Sequence, residues 1–254
     1  MTKKLLLMLL ALTILSCASK KDILYFQDIK KSDQSAIQYM PNEVQINDIL
    51  YIKISALVDE SAQPFNIFNN SSTSNGFNVE TIKIQGYLVS QEGSIVFPIL
   101  GTIKVAGKST DEVQKFISDI LNDKGYLKDP IVSVRIINSK VTVLGEVNNP
   151  GTYSFDEQNI SLNQAIGYAG DLTINGIRKD VLLIREVNGT RTYVRLDLTS
   201  ADWFNSPYYY VKQNDVIIVN PNDAKVMSSG YIKDIGTTLG TLSFLLTVYL
   251  LLKK

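Results

Sequence analysis

Histidine is absent from the 254-residue chain, and cysteine occurs once, at position 17. The first absence removes the commonest general base, proton shuttle and metal ligand. The second excludes an internal disulfide and a thiolate zinc cluster. Neither sign of charge is in excess, since lysine plus arginine and aspartate plus glutamate both number 25. Removal of residues 1–16 would take Lys3 and Lys4 and no acid, leaving two more acids than bases. With no long basic run and no net field, the chain is not built to bind nucleic acid. Glycosidase-type chemistry needs two carboxylates facing each other across a cleft. Asp171, Asp180 and Glu186 are the candidates, and they read better as turn and surface residues. We expect no enzyme, no cofactor and no metal site. Apolar residues at 45% and charged residues at 20% suffice for an ordinary globular core.

Both ends point to membranes. Met1-Thr2-Lys3-Lys4 precedes an apolar run over residues 5–15, and Ser16-Cys17 follows. A basic start, a short apolar stretch and a small residue before the cut describe a secretory signal. The run is too short to span a bilayer, which needs about 20 residues. Ile14-Leu15-Ser16-Cys17 has the form of a lipobox, so Cys17 is expected to carry acyl chains, each buried CH₂ contributing roughly 0.8 kcal/mol to anchoring. Ala18 follows where an aspartate would favour retention in the inner membrane, which points to the outer one.

At the other end, residues 235–252 read IGTTLGTLSFLLTVYLLL without a charge. A helix of this length measures about 27 Å, close to a hydrocarbon core of roughly 30 Å. We expect a transmembrane helix here. Gly236, Gly240, Ser243 and Thr247 recur at helical spacing and fall within an arc of roughly 60°. Three uses of this stripe stand open. It is a close-packing seam between helices, the lining of a water-filled space, or part of a plain anchor whose hydroxyls bond back to the backbone. One helix cannot enclose a channel, so a pore requires a closed ring of copies.

Between the ends the pattern is mixed. Strands are expected at residues 49–57, 82–89, 94–97 and 131–137, with a Ser- and Asn-rich loop over 59–78. Ser109-x-x-Glu112 is a capping box, followed by Val113, Phe116, Ile117, Ile120 and Leu121 at helical spacing. Beyond it, strands are expected at 141–147, 152–155, 181–187, 192–198 and 216–219. Ser161-x-x-Gln164 caps a second, short helix, and Asn188-Gly189 marks a hairpin. Residues 46–52 echo residues 212–218, which we read as shared turn chemistry, not duplication. The aromatic cluster Trp203, Phe204, Tyr208, Tyr209 and Tyr210 is a candidate glycan contact, chiefly through Trp203, Tyr208 and Tyr209. Its alternative role is packing.

Five segments, 46–52, 93–107 (GSIVFPILGTIKVAG), 126–134 (YLKDPIVSV), 143–151 (VLGEVNNPG) and 213–219, together resemble the outer-membrane polysaccharide exporters. The resemblance implies an α+β chain: a polysaccharide-export domain at 41–138, one β-grasp-like (SLBB-like) domain at 139–222 and a C-terminal transmembrane helix at 235–252. A signal peptide (1–16), a lipidated tether (17–40) and a linker (223–234) complete the expected division. The resemblance also implies a ring homo-oligomer, octameric in the best-known members, acting as a passive conduit in the outer membrane. Its partners would be the polysaccharide cargo and an inner-membrane polysaccharide co-polymerase, often a tyrosine kinase. The alternative is a glycan-binding or scaffolding lipoprotein without a channel.

Overall fold

The computed structural model describes residues 20–30, 34, 39–66, 84–187, 189–229 and 235–252. The expected signal peptide and the expected acylation site, Cys17, lie outside the described residues.

The first unit is built on β1 (Ile49–Ser55), which runs between β2 (Tyr87–Leu88) and β5 (Ile131–Ile136), antiparallel to both. Alternation along β1 buries Leu50, Ile52 and Ile54 on one face. A hairpin joins β3 (Ser94–Phe97) to β4 (Gly101–Lys104), and Phe97 stacks on Tyr87. The long helix of this unit is Thr110–Asp123. Its capping box closes as the sequence predicts: the Ser109 hydroxyl accepts from the Glu112 amide, and the Glu112 carboxylate accepts from the Ser109 amide. Val113, Ile117 and Leu121 go into the core, while Phe116 stays at the surface under the Lys108 ammonium.

Two expectations for this unit are corrected. The strand over 82–89 contracts to Tyr87–Leu88, with residues 84–85 helical. The loop over 59–78 opens instead with a helical turn, α1 (Asp59–Ala62), and a 3-10 turn (Gln63–Phe65). Ala62 and Phe65, three residues apart, are both buried. Their burial overrides the local Ser and Asn composition. Numbered after α1, the helix at Thr110–Asp123 is α2.

The second unit is a five-stranded mixed sheet in the order β10-β9-β12-β6-β7. Its strands are β6 (Lys140–Gly145), β7 (Gly151–Ser154), β9 (Gly176–Val187), β10 (Thr190–Leu196) and β12 (Val216–Pro221). β12 runs parallel to β6 and antiparallel to β9. The helix α3 (Leu162–Tyr168), capped by Ser161 and Gln164, buries Leu162, Ala165 and Ile166 against the sheet. A two-stranded pair, β8 (Ile160–Ser161) with β11 (Tyr210–Val211), lies beside it. One helix across a mixed sheet matches the expected α+β class. β9 is longer than its expected span because Arg178 takes an inward position. Its guanidinium is buried and donates to the carbonyls of Thr173 and Gly176.

Two segments expected to be connectors are structured. Residues 20–29 lie on the second unit, as detailed below. Residues 223–228 form α4 (Asp223–Ser228), capped by the Asn222 side chain on the Lys225 amide.

The last helix, α5 (Ile235–Leu252), has the expected bounds, and its described side chains are almost all exposed. Seven of its 18 residues are glycine, serine or threonine, and six of these lie in the first half. Polarity is therefore divided along the axis more than around it. Among the described residues no helix is long and apolar enough to cross a membrane. This corrects the expectation of a transmembrane helix at 235–252: small and hydroxylated residues crowd the first half, and the apolar character is concentrated in the second.

Candidate functional site

The incoming chain is strapped to the second unit. The amides of Phe26 and Gln27 donate to the carbonyls of Leu198 and Thr199. Asp28 accepts from the Ser200 hydroxyl and the Ala201 amide, which holds its carboxyl below the usual carboxylate range. Tyr25 donates to Asp171 and packs under the Arg178 guanidinium, and burial pushes its phenol up. Asp22 pairs with Lys179 at 2.6 Å. Phe26, at a positive φ of 49°, sets its ring against Trp203 and Phe204.

That contact decides the use of the aromatic cluster. Trp203 is only 6% exposed and touches Phe26, Phe204 and Tyr209. It has almost no surface to offer a sugar, and its expected role in glycan contact is corrected to packing. Tyr209 lies between Phe204 and Tyr210, and Tyr208 packs under Arg185, whose guanidinium sits 5.3 Å from the ring centre. Both tyrosines are half-buried.

The candidate acids are each engaged. Asp171 is held by Tyr25 and by the Leu172 amide, Asp180 pairs with Arg195, and Glu186 pairs with Arg191 at 2.6 Å. Among the described residues no group of three or more acids or other ligating side chains is arranged to hold a metal.

The two echoing segments fold into the same turn. Asn47 and Asn214 both adopt positive φ, 69° and 63°. Asp48 and Asp215, both wholly buried, each accept from the backbone amide three residues earlier, that of Gln45 or Lys212, at 2.8 Å. Asp215 also meets Arg185, at 2.7 Å from Nη2, and Arg185 donates further to the carbonyls of Pro207 and Tyr210. Burial pushes Asp215 upward against the pull of that arginine. Asp48 instead accepts from the Gln213 side-chain amide of the second unit. Burial raises it to about 7, opposed only by the hydrogen bonds from Gln45 and Gln213. The two turns thus meet, and Gln213 also accepts from Ser139 at the boundary between the units.

Next to this boundary, between the units, is a polar groove of about 430 Å³. Tyr39, Asn42, Gln114 and Arg135 line it from one side, and Glu157 and Gln158 from the other. Tyr39 donates to Gln158 at 3.1 Å, and the Asn42 side-chain oxygen is buried without a hydrogen-bond partner.

On α5, Gly236, Gly240, Ser243 and Thr247 are all exposed, and nothing lies against the open side of Gly240. The Thr247 hydroxyl donates to the Ser243 carbonyl at 2.8 Å and that of Thr241 to the Thr238 carbonyl at 2.9 Å. A hydroxyl satisfied in this way is compatible with an apolar medium.

Residues 41–137 match the family model described as polysaccharide biosynthesis/export protein, and residues 140–195 match the SLBB domain. The EPS I polysaccharide export outer membrane protein EpsA of Ralstonia solanacearum is 32% identical over 164 residues, 63% of this chain and 42% of that protein. Its counterpart from Ralstonia nicotianae is 32% identical over 161 residues, 61% of this chain and 41% of that protein. The chain belongs to the polysaccharide export family. The match spans less than half the length of those relatives.

The stretches that carry the likeness to other polysaccharide export proteins do structural work here. In VLGEVNNPG, Gly145 has φ 89°, and a Cβ there would lie 2.0 Å from the Val219 carbonyl oxygen. Asn148 donates to the Gly170 carbonyl at 2.6 Å, and the Asn149 amide donates to that of Ala169, tying this turn to the end of α3. The motif residues described here fix backbone approaches and turns.

Proposed function

We propose that this chain is a subunit of an outer-membrane conduit for export of a bacterial polysaccharide. The observation that carries this reading is the tandem match to the export domain and the SLBB domain, in that order, on two consecutive folded units. The outer-membrane location follows the names of the relatives. In this reading Cys17 is acylated and holds the strapped second unit at the membrane. Copies assemble into a ring, and the apolar half of α5 faces lipid. The small residues Gly236, Gly240, Ser243 and Thr247 are covered by the α5 helices of neighbouring copies. The cargo passes without covalent chemistry, and an inner-membrane co-polymerase delivers it.

The test is complementation of a deletion strain with the full chain, the Cys17→Ser variant and a chain ending before residue 235, with surface polysaccharide as the readout. Only the full chain should restore it, and detergent-extracted full chain should image as closed rings. Monomers in detergent, or full export by the shortened chain, would remove the conduit reading.

The groove between the units favours a second reading, a glycan-binding or scaffolding lipoprotein without a channel. Its amides, carboxylates and one tyrosine suit a hydroxyl-rich ligand. Gln114→Ala and Gln158→Ala should then weaken retention on immobilised polysaccharide, with ring formation absent. Tyr208→Ala and Tyr209→Ala test the half-buried tyrosines in the same assay.

A further inference from the structure

β5 forms one edge of its three-stranded sheet, with β1 on its inner side. The Ile137 amide donates to the Ile49 carbonyl, and the register sets Ile136 opposite Leu50. In an antiparallel pair the hydrogen bonds fall on alternate residues. The backbone N–H and C=O groups of Val132, Val134 and Ile136 therefore point away from β1. The Val134 amide bears this out, since it donates to the Gln114 side chain of α2 at 3.2 Å.

An open strand edge is a template for another chain, and folded proteins usually close it. This sheet does so elsewhere. On the far side of β1, the Asn66 side-chain amide accepts from the Ile54 amide and donates to the Ile54 carbonyl. At the start of β1, the Asn138 side chain accepts from the Ile49 amide. Along β5, Gln114 covers the Val134 amide, while residues 133–136 form a wall of the groove between the units. The first turn of α2 flanks that wall, and residues 156–158 of the second unit line the groove as well. An extended backbone lying there would donate to the carbonyls of Val134 and Ile136 and accept from the Ile136 amide. The charge of the lining selects among such backbones. Asp111, Asp156 and Glu157 stand against Arg135, and the buried Asn42 side-chain oxygen is a further acceptor without a donor.

We propose that this groove takes an extended segment of a partner protein, bearing lysine or arginine, which adds as a strand along β5. The inference holds whether or not the chain forms a conduit, and it competes with the glycan reading for the same groove. Main-chain hydrogen bonds supply the affinity, and the carboxylates at 111, 156 and 157 select a cationic segment.

The test uses the full chain in detergent and a fluorescent hexapeptide of alternating lysine and threonine, followed by anisotropy. Its counterpart of glutamate and threonine should not bind. N-methylation at every residue keeps the charges but removes the main-chain donors, and it should weaken binding at least about tenfold. Asp156→Lys and Glu157→Lys, two exposed positions tested separately in case one folds poorly, should each weaken binding by about tenfold. Hydrogen exchange supplies the site: the Ile136 amide should exchange at least about tenfold more slowly with the lysine peptide than without it. Equal binding of the N-methylated peptide would reduce the effect to charge alone and overturn strand addition. Binding of maltoheptaose in the groove with no binding of the peptide would give the groove to a glycan and overturn the proposal. An Ile136 amide already protected in the assembled chain, and released on dilution to monomers, would mean that a second copy covers β5, which overturns it equally.

Discussion

Asp48 and Asp215 occupy one turn design used twice, and their carboxylates meet opposite surroundings. Asp215 is answered by Arg185, whereas Asp48 is answered only by amides. A carboxyl raised from 3.8 to about 7 by burial binds its proton more tightly in the folded chain than in the unfolded one. Its contribution to stability is therefore fully present below about pH 4 and is lost as pH rises through 7, by at most about 1.4 kcal/mol per pH unit. Thermal unfolding of the detergent-solubilised protein should show a lower midpoint at pH 8 than at pH 5. Asp48→Asn cannot ionise and keeps one oxygen for Gln213, but it loses the acceptor for the Gln45 amide. It should be less stable than the parent at pH 5, with a flatter dependence between pH 5 and 8. A parent profile that does not change over that range would show that Asp48 is solvated. Arg185 behaves in the conventional way for a buried pair. Arg185→Met would strand Asp215 and should cost on the order of 3–5 kcal/mol in the same measurement.

At the scale of elements, local signals were legible and distant ones were not. Both capping boxes closed where Ser109 and Ser161 predicted them, because each is complete within four residues. The start of β9 was hidden because its inward residue is an arginine, satisfied by carbonyls that only the fold brings near. The strap was hidden for the same reason, since Tyr25 and Asp28 find their partners 146 and 172 residues away. Nothing local to residues 23–26 reveals that Phe26 meets Trp203. On α5 the stripe was read correctly as small residues, yet its three uses could not be separated by spacing. A substitution series separates them. No atom lies within 4 Å of a Cβ placed on Gly240, and the Thr247 hydroxyl is already satisfied. Gly240→Leu therefore costs the isolated chain nothing in packing and favours the helix by roughly 0.8–1 kcal/mol. Under the packing reading it should abolish ring assembly in detergent while the melting temperature of the soluble units is unchanged. Assembly preserved in Gly240→Leu but altered export in Ser243→Leu and Thr247→Leu would assign the stripe to a pore. No effect of any of the three would leave a plain anchor.

Among the described residues the molecule has two separate hydrophobic cores. One runs from Val44 to Val134 and the other from Val141 to Val219, and each is closed by its own helix. Across the boundary, the side-chain links include Gln213 to Asp48 and Tyr39 to Gln158, and Asn138 ties β1 to the connecting segment. The units therefore share polar contacts more than apolar area. Polar contacts set orientation at a modest net energy, about 1 kcal/mol each. A conduit subunit needs that orientation held, because every copy in a ring must present the same angle between its units to its neighbours. Gln213→Leu keeps the bulk of the side chain but removes both the donor to Asp48 and the acceptor for Ser139. Neither core is touched, so each unit should still fold. The buried Asp48 carboxylate loses a stabilising donor, and its titration should move above 7. Calorimetry should then resolve two unfolding transitions where the parent unfolds in one, with the split widening as pH rises and Asp48 is forced to ionise. A single unshifted transition in Gln213→Leu would mean that the angle between the units is fixed by other contacts along the groove, of which the Tyr39–Gln158 bond is the first to remove.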